Sequence, residues 1–387
     1  MKKTILFVSE ALWIGGIETA LVNLLNRMDY DKFDVTCLVV RGSLELADRI
    51  TPKCRLIIAD REKVFTFPKR YKFSRLYHLT EDSENPSLLH RAMMWAVPAI
   101  KWLENRLYIR YIRKNLKHEH FDTCVIYSDR TAETAVRAVR ADKYLMFYHH
   151  GAMRKVWHDE IGYRNADAII AVSKGVGKKL REFRPEYAHK MTTIHNLVDV
   201  EEIRIKAEAD IPEAFDKDLF HIVSCGRVSR EKGMDLAVEA CAKLVATGHK
   251  NIHWWIVGGG PAEKGVRDKI SALHMEDHVT MLGMKPNPYP YIKKADLYVQ
   301  PSRFESFGLT IIEAMVLGSP VVSTDTDGAK SLIHHQTNGI LCSCSADALA
   351  DAIRTVHASA NSLVSDTMYA EIKKNNKAIL SQLEDMF

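Results

Sequence analysis

Two carboxylates with seven residues between them mark the stretch of this sequence with the clearest chemical pattern. Glu305 follows an apolar run at 296–300 that predicts a buried strand. Gly308 stands just before Leu309, where an apolar helical pattern begins, and Glu313 lies one turn further on. A strand, a loop and a helix N-terminus in this order predict an anion site, because the first helical turn has free N–H groups and a partial positive charge. The amides suit a phosphate, and the carboxylates suit hydroxyl groups of a sugar.

Two basic residues follow an earlier predicted strand at 222–225. Arg227 comes directly after that strand, and Lys232 precedes a glycine that opens the next helix. An arginine binds phosphate through its planar fork and a lysine acts as a point charge, so this loop predicts a diphosphate site. The alternative is a pair of ordinary surface cations.

Two glycine clusters also follow predicted strands. Gly15 and Gly16 precede a helix, where a glycine allows the backbone to approach a ligand, although a tight turn gives the same sequence. Residues 258–260 are three glycines, which we interpret as a structural turn beside a base-binding pocket. Neither cluster completes the dinucleotide fingerprint, because a third glycine is missing from the first and Glu263 replaces the last glycine of the second.

His150 ends a predicted strand of the first half. A lone histidine is more often structural, but ligands bind at the carboxyl ends of strands in α/β proteins. No carboxylate or cysteine lies near it at metal-ligand spacing, so we assign no metal here. The pair Asp325 and Asp327 has the Asp-x-Asp spacing of some metal sites, and a simple turn is the preferred interpretation.

The elements that must position these residues alternate between apolar runs and helical patterns, which predicts α/β architecture with doubly wound parallel sheets. Predicted strands of the first half lie at 5–8, 35–40, 123–127, 145–148 and 168–172. Those of the second half lie at 222–225, 254–257, 279–282, 297–299 and 321–323. The polar segment 198–217, which contains Pro212, predicts a hinge, and 365–387 predicts a helix.

Size and composition favour two domains in a cytoplasmic protein. The chain has 387 residues, of which 47% are hydrophobic. A chain of this length is too long for one ordinary hydrophobic core. Its seven cysteines are scattered and odd in number, which is typical of reduced thiols. The apolar run at 4–9 is too short for a signal peptide, and no run reaches the roughly 18 apolar residues of a membrane span. We expect a soluble protein that is cytoplasmic or peripheral on the inner face of the cell membrane.

Basic residues concentrate in the first half. Residues 1–195 contain 34 Lys and Arg against 23 Asp and Glu, a net charge of +11, whereas the remainder is net −6. Aromatic and basic residues interleave at 64–77 and along a predicted helix at 88–118, a pattern suited to an anionic membrane surface. A core helix with a solvated basic face is the alternative. No nucleic-acid motif accompanies the basic residues, so we expect no nucleic-acid partner.

These motifs together resemble the retaining glycosyltransferases of family 4, which have the GT-B fold, and in particular the type that builds bacterial surface or capsular polysaccharide. The resemblance rests on segments in family order, strongest in the second half and weakest at 42–121. They are FHIVSCGRVSREKG, IVGGGP and ESFGLTIIE in the second half, with GGIE, HG, DAIIAVS and HNLVD before them.

The resemblance implies a fold and a set of roles. It implies two Rossmann-like domains facing across a cleft: an acceptor domain at 1–197 joined by a C-terminal helix at about 366–387, and a donor domain at 198–365. Arg227 and Lys232 would hold the donor diphosphate, Glu313 the ribose and Glu305 the sugar. The resemblance also implies that His150 lines the reaction centre near the sugar. It implies backbone contacts to the donor from five further residues: Gly16, Ser306, Phe307, Gly308 and Leu309. Ser331 stands where the family usually has a glutamate and receives no role.

The resemblance further implies a metal-independent hexosyl- or N-acetylhexosaminyltransferase that retains anomeric configuration. No cofactor is expected, and the donor is expected to be a UDP-sugar. The basic, aromatic first half suggests a lipid-linked glycan acceptor. The alternative function is a non-catalytic nucleotide-sugar-binding subunit of a glycosyltransferase system, against which the intact set of site residues argues.

Overall fold

The structure is a computed structural model that describes residues 2–60, 88–150, 153, 159–213, 215–358 and 367–387, with backbone alone at 88–101, 159 and 367. The strands, numbered in chain order, are β1 Lys3–Ser9, β2 Phe33–Val39, β3 Arg55–Ile58, β4 His120–Ile126, β5 Arg140–Tyr148, β6 Ala168–Ala171, β7 Met191–Thr193, β8 Phe220–Cys225, β9 Ile252–Val257, β10 Val279–Gly283, β11 Leu297–Gln300, β12 Val321–Thr324 and β13 Ile340–Cys342. The α-helices are α1 Gly16–Arg27, α2 Leu88–Asn115, α3 Ala132–Ala138, α4 Asp159–Asn165, α5 Lys174–Phe183, α6 Val200–Lys206, α7 Met234–Ala246, α8 Glu263–Ala272, α9 Tyr289–Lys294, α10 Leu309–Val316, α11 Asp327–Leu332, α12 Ala346–Ala358 and α13 Thr367–Glu384.

The first sheet has the strand order β3-β2-β1-β4-β5-β6-β7. Strand β1 pairs in parallel with β2 on one side and with β4 on the other. The order therefore reverses between β1 and β4, which makes their carboxyl ends a topological switch point. Strand β1 is buried from Ile5 onward because both faces of a parallel sheet are covered, which explains its unbroken apolar run.

The second sheet has the strand order β10-β9-β8-β11-β12-β13. Strand β8 pairs in parallel with β9 and with β11, so this sheet reverses between β8 and β11. The side chain of Trp254 is fully buried and its Nε1 donates to Ser224 Oγ at 3.0 Å. That hydroxyl in turn donates to the Val299 carbonyl oxygen at 2.6 Å, so one chain of hydrogen bonds crosses three strands.

The chain divides into two compact units. One consists of Met1–Tyr148, Lys155–Ile170 and Phe387, and the other of His149–Arg154 and Ala171–Met386. Phe387 belongs to the first unit because its ring lies edge-on to those of Phe7 and Phe33, with centroids 6.2 and 5.6 Å apart. The predicted domain limits at 1–197 and 198–365 stay a prediction.

All seven cysteines are free thiols, and five of them are buried. Burial raises the pKa of Cys342 to about 12, whereas Cys344 is exposed. The pKa of Cys344 is also raised, by its partial burial and by the charges of Asp325 and Asp235, against an opposing effect of Arg303.

The predicted α/β fold is confirmed, and every predicted strand is present within a few residues. Three short strands were not predicted: β3, β7 and β13. The predicted hinge at 198–217 contains a short helix, α6, which begins after Asp199 because that side chain accepts a hydrogen bond from Glu202 N at 3.0 Å. Within the described ranges, no helix has the length and apolar character of a bilayer span.

Candidate active site

The two loops that carry the predicted donor residues meet at the switch point of the second sheet. One loop follows β8 and contains Arg227 and Lys232; the other follows β11 and contains Glu305. Because β8 and β11 are adjacent and parallel, their carboxyl ends lie side by side, where α/β sheets bind ligands. The sheet topology therefore brings together the two segments that the sequence singled out separately.

Lys232 and Glu305 form a direct ion pair. The Lys232 Nζ donates to Glu305 Oε2 at 2.6 Å, and the two side chains are 26% and 11% exposed. A charge pair this sheltered is stronger than a surface pair because little water screens it. Lys232 Nζ has two further N–H donors, which remain available for an anion.

A buried glutamine orients this pair from beneath. The amide nitrogen of Gln300 donates to Ser302 Oγ at 2.7 Å and, more weakly, to Glu305 Oε2 at 3.4 Å. Its amide oxygen accepts from the hydroxyls of Tyr298 and Thr310 at 2.5 and 2.9 Å. Gln300 is 1% exposed, so these bonds satisfy a polar group that would otherwise be costly to bury. This network was not predicted from the sequence.

A second ion pair joins the two loops. Both guanidinium Nη atoms of Arg303 donate to the carboxylate oxygens of Asp235, at 2.7 and 2.8 Å, and Nη1 also donates to the Arg230 carbonyl oxygen at 2.9 Å. The Arg303 amide donates to the Glu231 carbonyl oxygen at 2.7 Å. Burial is the largest single effect on the pKa of Asp235 and would raise it, but the hydrogen bonds and charge of Arg303, with the charge of Lys269, together lower it. This fork holds the loop after β11 against the turn that ends at Lys232.

The predicted anion site lies at the N-terminus of α10. Gly308 is the N-cap, with a left-handed φ of 92°, and no side chain caps the helix. The backbone N–H groups of Ser306, Phe307 and Gly308 have no acceptor among the residues that the structure describes. These groups, followed by the first turn at Leu309, provide free donors and the positive end of the helix dipole.

A glycine on the neighbouring turn supports this loop. A Cβ added to Gly328 would lie 2.8–2.9 Å from backbone atoms of Phe307, and Gly328 N donates to the Glu305 carbonyl oxygen at 3.0 Å. Ser331, which replaces the family glutamate, donates to the Gly328 carbonyl oxygen at 2.6 Å. Its hydroxyl therefore bonds within its own helix, α11.

Glu313 lies one turn into α10 and is 8% exposed. Its Oε1 accepts from the Tyr289 hydroxyl at 3.3 Å. Burial raises the pKa of Tyr298 well above its usual value, and the charges of Cys225, Glu313 and Glu305 raise it further. Both predicted carboxylates thus lie within electrostatic range of the same tyrosine.

The loop of Arg227 is shaped by close backbone contacts. Gly226 has a φ of 149°, and a Cβ on Gly258 would lie 1.9 Å from the Gly226 carbonyl oxygen. Val228 N donates to the Gly259 carbonyl oxygen at 3.0 Å, so the glycine cluster packs on this loop as a structural turn. Arg227 is exposed and, in the described part of the chain, has no ion-pair partner.

The remaining predicted positions lie on other elements of the chain. Gly16 is the first residue of α1 and belongs to the first unit. His150 follows β5 and groups with the second unit. Asp325 and Asp327 each pair with a different lysine, Lys330 and Lys179. Within the described residues, no cluster of three or more His, Cys, Asp or Glu has the arrangement of a metal site.

Comparisons with known proteins agree with this fold. The model for Glycosyltransferase Family 4 matches residues 14–202, and the model for Glycosyl transferases group 1 matches residues 206–378. Among solved structures, that of Anabaena Alr3699/HepE with UDP and glucose has a TM-score of 0.71 at 16% identity and covers 99% of both chains. Sucrose-phosphate synthase from Thermosynechococcus elongatus has a TM-score of 0.72 at 18% identity, covering 100% of this chain and 98% of that one.

Curated relatives match parts of the chain. The alpha-D-kanosaminyltransferase of Streptomyces kanamyceticus is 26% identical over 64% of this chain and 69% of that protein. The N-acetylgalactosamine-N,N'-diacetylbacillosaminyl-diphospho-undecaprenol 4-alpha-N-acetylgalactosaminyltransferase of Campylobacter jejuni is 32% identical over 46% of this chain. The chain spans about half the length of this second relative, 47%.

Proposed function

Because the chain belongs to the glycosyltransferases, with family 4 matching its first half and group 1 its second, we propose that it transfers a sugar from a nucleotide-sugar donor to a glycan acceptor. The observation that carries the proposal is the sheltered Lys232–Glu305 pair beside the free amides that precede Leu309. Cationic donors and a helix N-terminus at one switch point suit a diphosphate, and a neighbouring carboxylate suits sugar hydroxyls.

Four of the site residues have proposed roles that fit their contacts and exposure. Lys232, with two N–H donors to spare, and the exposed Arg227 bind the diphosphate. Glu305 binds sugar hydroxyls, and the buried Glu313 binds the ribose. Gly16 and His150 keep the roles that the family resemblance implies, a diphosphate contact and a place beside the sugar.

The proposed reaction retains anomeric configuration and requires no divalent metal. The bond from the sugar C1 to the diphosphate oxygen breaks, and both electrons leave with that oxygen. The acceptor hydroxyl attacks C1 from the same face and passes its proton to the departing phosphate oxygen. Lys232, Arg227 and the α10 amides stabilise the growing negative charge, and such preorganised stabilisation is usually the largest catalytic contribution. An inverted product anomer in an NMR time course would refute retention.

The donor is a UDP-sugar, and the pathway is surface polysaccharide assembly. Three solved structures of HepE contain UDP with glucose, UDP alone or UDP-glucose. Two further relatives are named for lipopolysaccharide core and amylovoran biosynthesis. The names of these two relatives support the class of pathway and not the individual polysaccharide, because each relative shares no more than 31% identity with part of this chain.

A panel of UDP-hexoses and UDP-N-acetylhexosamines tests the proposal through UDP release, first without acceptor. We expect turnover of one donor and a loss of roughly 10²–10³ in kcat/KM for Lys232→Ala. Lys264→Ala is the matched control, because Lys264 also pairs with a carboxylate, Asp268 at 2.7 Å, but on an exposed helix face. Binding of a donor without any UDP release, with or without glycan acceptors, would favour the non-catalytic alternative.

The acceptor is lipid-linked, and one face of α2 docks on an anionic membrane. Its buried face includes Tyr108, whose hydroxyl donates to the Val40 carbonyl oxygen at 2.8 Å. Its outer face exposes Trp102, Leu103 and Leu107 by 61%, 51% and 43%. An ordinary core helix would not leave three large apolar side chains in water together.

Basic residues surround this apolar face. Arg106 lies over the Trp102 ring at 5.2 Å from its centroid, and Arg110, Arg113 and Lys114 are also exposed. Aromatic and aliphatic groups flanked by cations match the headgroup layer of an anionic bilayer. The aromatic-basic segment at 64–77, which carries the same prediction, lies outside the described residues.

Sedimentation with liposomes tests the docking surface. Each cation near an anionic surface contributes about 1 kcal/mol, so replacing Arg106, Arg110, Arg113 and Lys114 by Glu should release the protein at low salt. UDP binding, which depends on the second unit, should be unchanged. Equal binding of wild type to neutral and anionic liposomes would contradict the membrane proposal, and stronger binding to oligonucleotides would indicate a nucleic-acid partner instead.

A further inference from the structure

Two arginines flank a buried glutamate at the switch point of the first sheet. Glu10 follows the central strand β1, Arg41 follows β2 on one side, and Arg130 follows β4 on the other. Arg41 Nη1 lies 2.9 Å from Glu10 Oε1, and Arg130 Nη1 lies 3.5 Å from Glu10 Oε2. The three residues belong to the first unit and have no part in the donor site described above.

At this edge of the sheet the acidic side chains are buried and the arginine side chains are exposed. The Glu10 side chain is 8% exposed, whereas those of Arg41 and Arg130 are 64% and 61% exposed. Asp60 and Asp129 are also buried at this edge, and both have partners within the protein. The acidic groups therefore lie beneath, and the guanidinium groups form the layer that meets solvent.

The arginines have N–H donors to spare. A guanidinium has five, and the Arg130 contact to Glu10 is long for a hydrogen bond. Glu10 Oε1 receives no aligned hydrogen bond despite its 2.9 Å ion pair, so the N–H groups of Arg41 do not point at it. Glu10 thus attracts both guanidinium groups by its charge and takes one long hydrogen bond at most, which leaves N–H donors for phosphoryl oxygens.

We infer that Arg41 and Arg130 bind a phosphoryl group of the acceptor, a phosphate or diphosphate ester, with Glu10 as their positioning residue. This inference rests on the proposed function, since it identifies the chemical class of the acceptor. It places an anion at the carboxyl end of the first sheet, at the switch point where such sheets bind ligands.

Isothermal titration with inorganic pyrophosphate tests the inference, with the donor site first saturated by UDP. We expect binding to one site, weakened about tenfold by Arg41→Gln or Arg130→Gln and about 100-fold by both, because each removes a charge-assisted contact. Arg164→Gln is the matched control, an exposed arginine of the same unit that is 3.8 Å from Glu160. Arg41→Lys with Arg130→Lys keeps the charges, and we expect intermediate affinity because lysine lacks the fork.

Farnesyl diphosphate and phosphatidylglycerol vesicles separate the two sources of phosphate. Arginine-dependent binding of pyrophosphate and farnesyl diphosphate supports the inference. If the arginines affect only vesicle binding, they contact lipid headgroups and the inference is wrong; unchanged pyrophosphate affinity in the double variant also overturns it. Melting temperature and UDP affinity check folding. Failure of wild type to bind UDP would refute the proposed function instead, so the two failures are distinguishable.

Discussion

We expect the ion pair between Arg303 and Asp235 to affect catalysis through position alone, because neither residue is expected to contact the donor. Replacing Arg303 by Lys keeps the charge but removes the planar guanidinium that makes three hydrogen bonds, at 2.7, 2.8 and 2.9 Å. The pair is 28% and 32% exposed, so we expect a loss of about 1–3 kcal/mol in the attachment of one loop to the other. The free energy of unfolding should fall by a similar amount.

The kinetic effect follows from the position of the loops. A looser loop shifts Glu305 relative to Lys232, and a misplacement of about 1 Å at a reacting centre can cost on the order of 10²-fold in rate. We therefore expect kcat/KM for the UDP-sugar to fall about 10–100-fold in Arg303→Lys. Asp235→Asn should give a similar loss, and the double variant little more, because both changes break one interaction.

Arg267→Lys is the matched control. Arg267 also contacts a carboxylate through two nitrogen atoms, Glu263 Oε1 at 2.9 and 3.3 Å, but on the exposed helix α8. Its substitution should change kcat/KM by less than about threefold, as for most surface pairs. If Arg303→Lys lowers the melting temperature but leaves kcat/KM no more affected than the control, the fork is structural only, and the positioning argument is refuted.

Three further outcomes are expected. Gly233→Ala should lower the free energy of unfolding by about 2–4 kcal/mol in denaturant titrations, because φ is 66° and the added Cβ would lie 2.0 Å from the Pro301 carbonyl oxygen. Gly248→Ala is the control: its φ is 96° but the space around it is open, so it should cost only about 1–2 kcal/mol of backbone strain. Activity should survive excess EDTA, and its loss with rescue by Mn²⁺ would contradict a metal-independent reaction. The pKa of Asp235 is lower in the folded protein than its usual value of 3.8, so its ionised carboxylate stabilises the fold at pH values above 3.8. This stabilisation is lost as the pH falls through the lower pKa of the folded state. The melting temperature of Asp235→Asn should therefore depend less on pH in that acidic range than that of wild type.

The sequence predicted ten strands because each contains an apolar run. It did not predict β3, β7 and β13, three short strands that lie at the edges of the two sheets. In β3, Arg55 is exposed and bonded to Glu119, so the strand lacks the pattern of a buried one. Such edge strands form because a neighbouring strand offers hydrogen bonds, which is a tertiary effect that periodicity cannot detect.

The same limit applies to the site. The loop chemistry identified Lys232 and Glu305 as separate donor ligands, but their ion pair depends on β8 lying beside β11. The sequence predicted Gln300 only as the last residue of a strand. Its hydrogen bonds to Ser302 and Thr310 depend on how the following loop and helix fold back beside it, which the sequence pattern does not show. Asp235 and Arg303 are 68 residues apart in sequence, and nothing local to either predicts their contact.

The single exposed thiol provides a built-in chemical reporter. Of the seven cysteines, only Cys344 is exposed, so a maleimide or iodoacetamide probe attaches at one position without removal of the others. Arg303 and Asp235 act electrostatically on Cys344 in opposite directions, Arg303 lowering its pKa and Asp235 raising it. The thiolate is the form that alkylates, so the labelling rate of the native protein should change when either charge of the Arg303–Asp235 pair is removed.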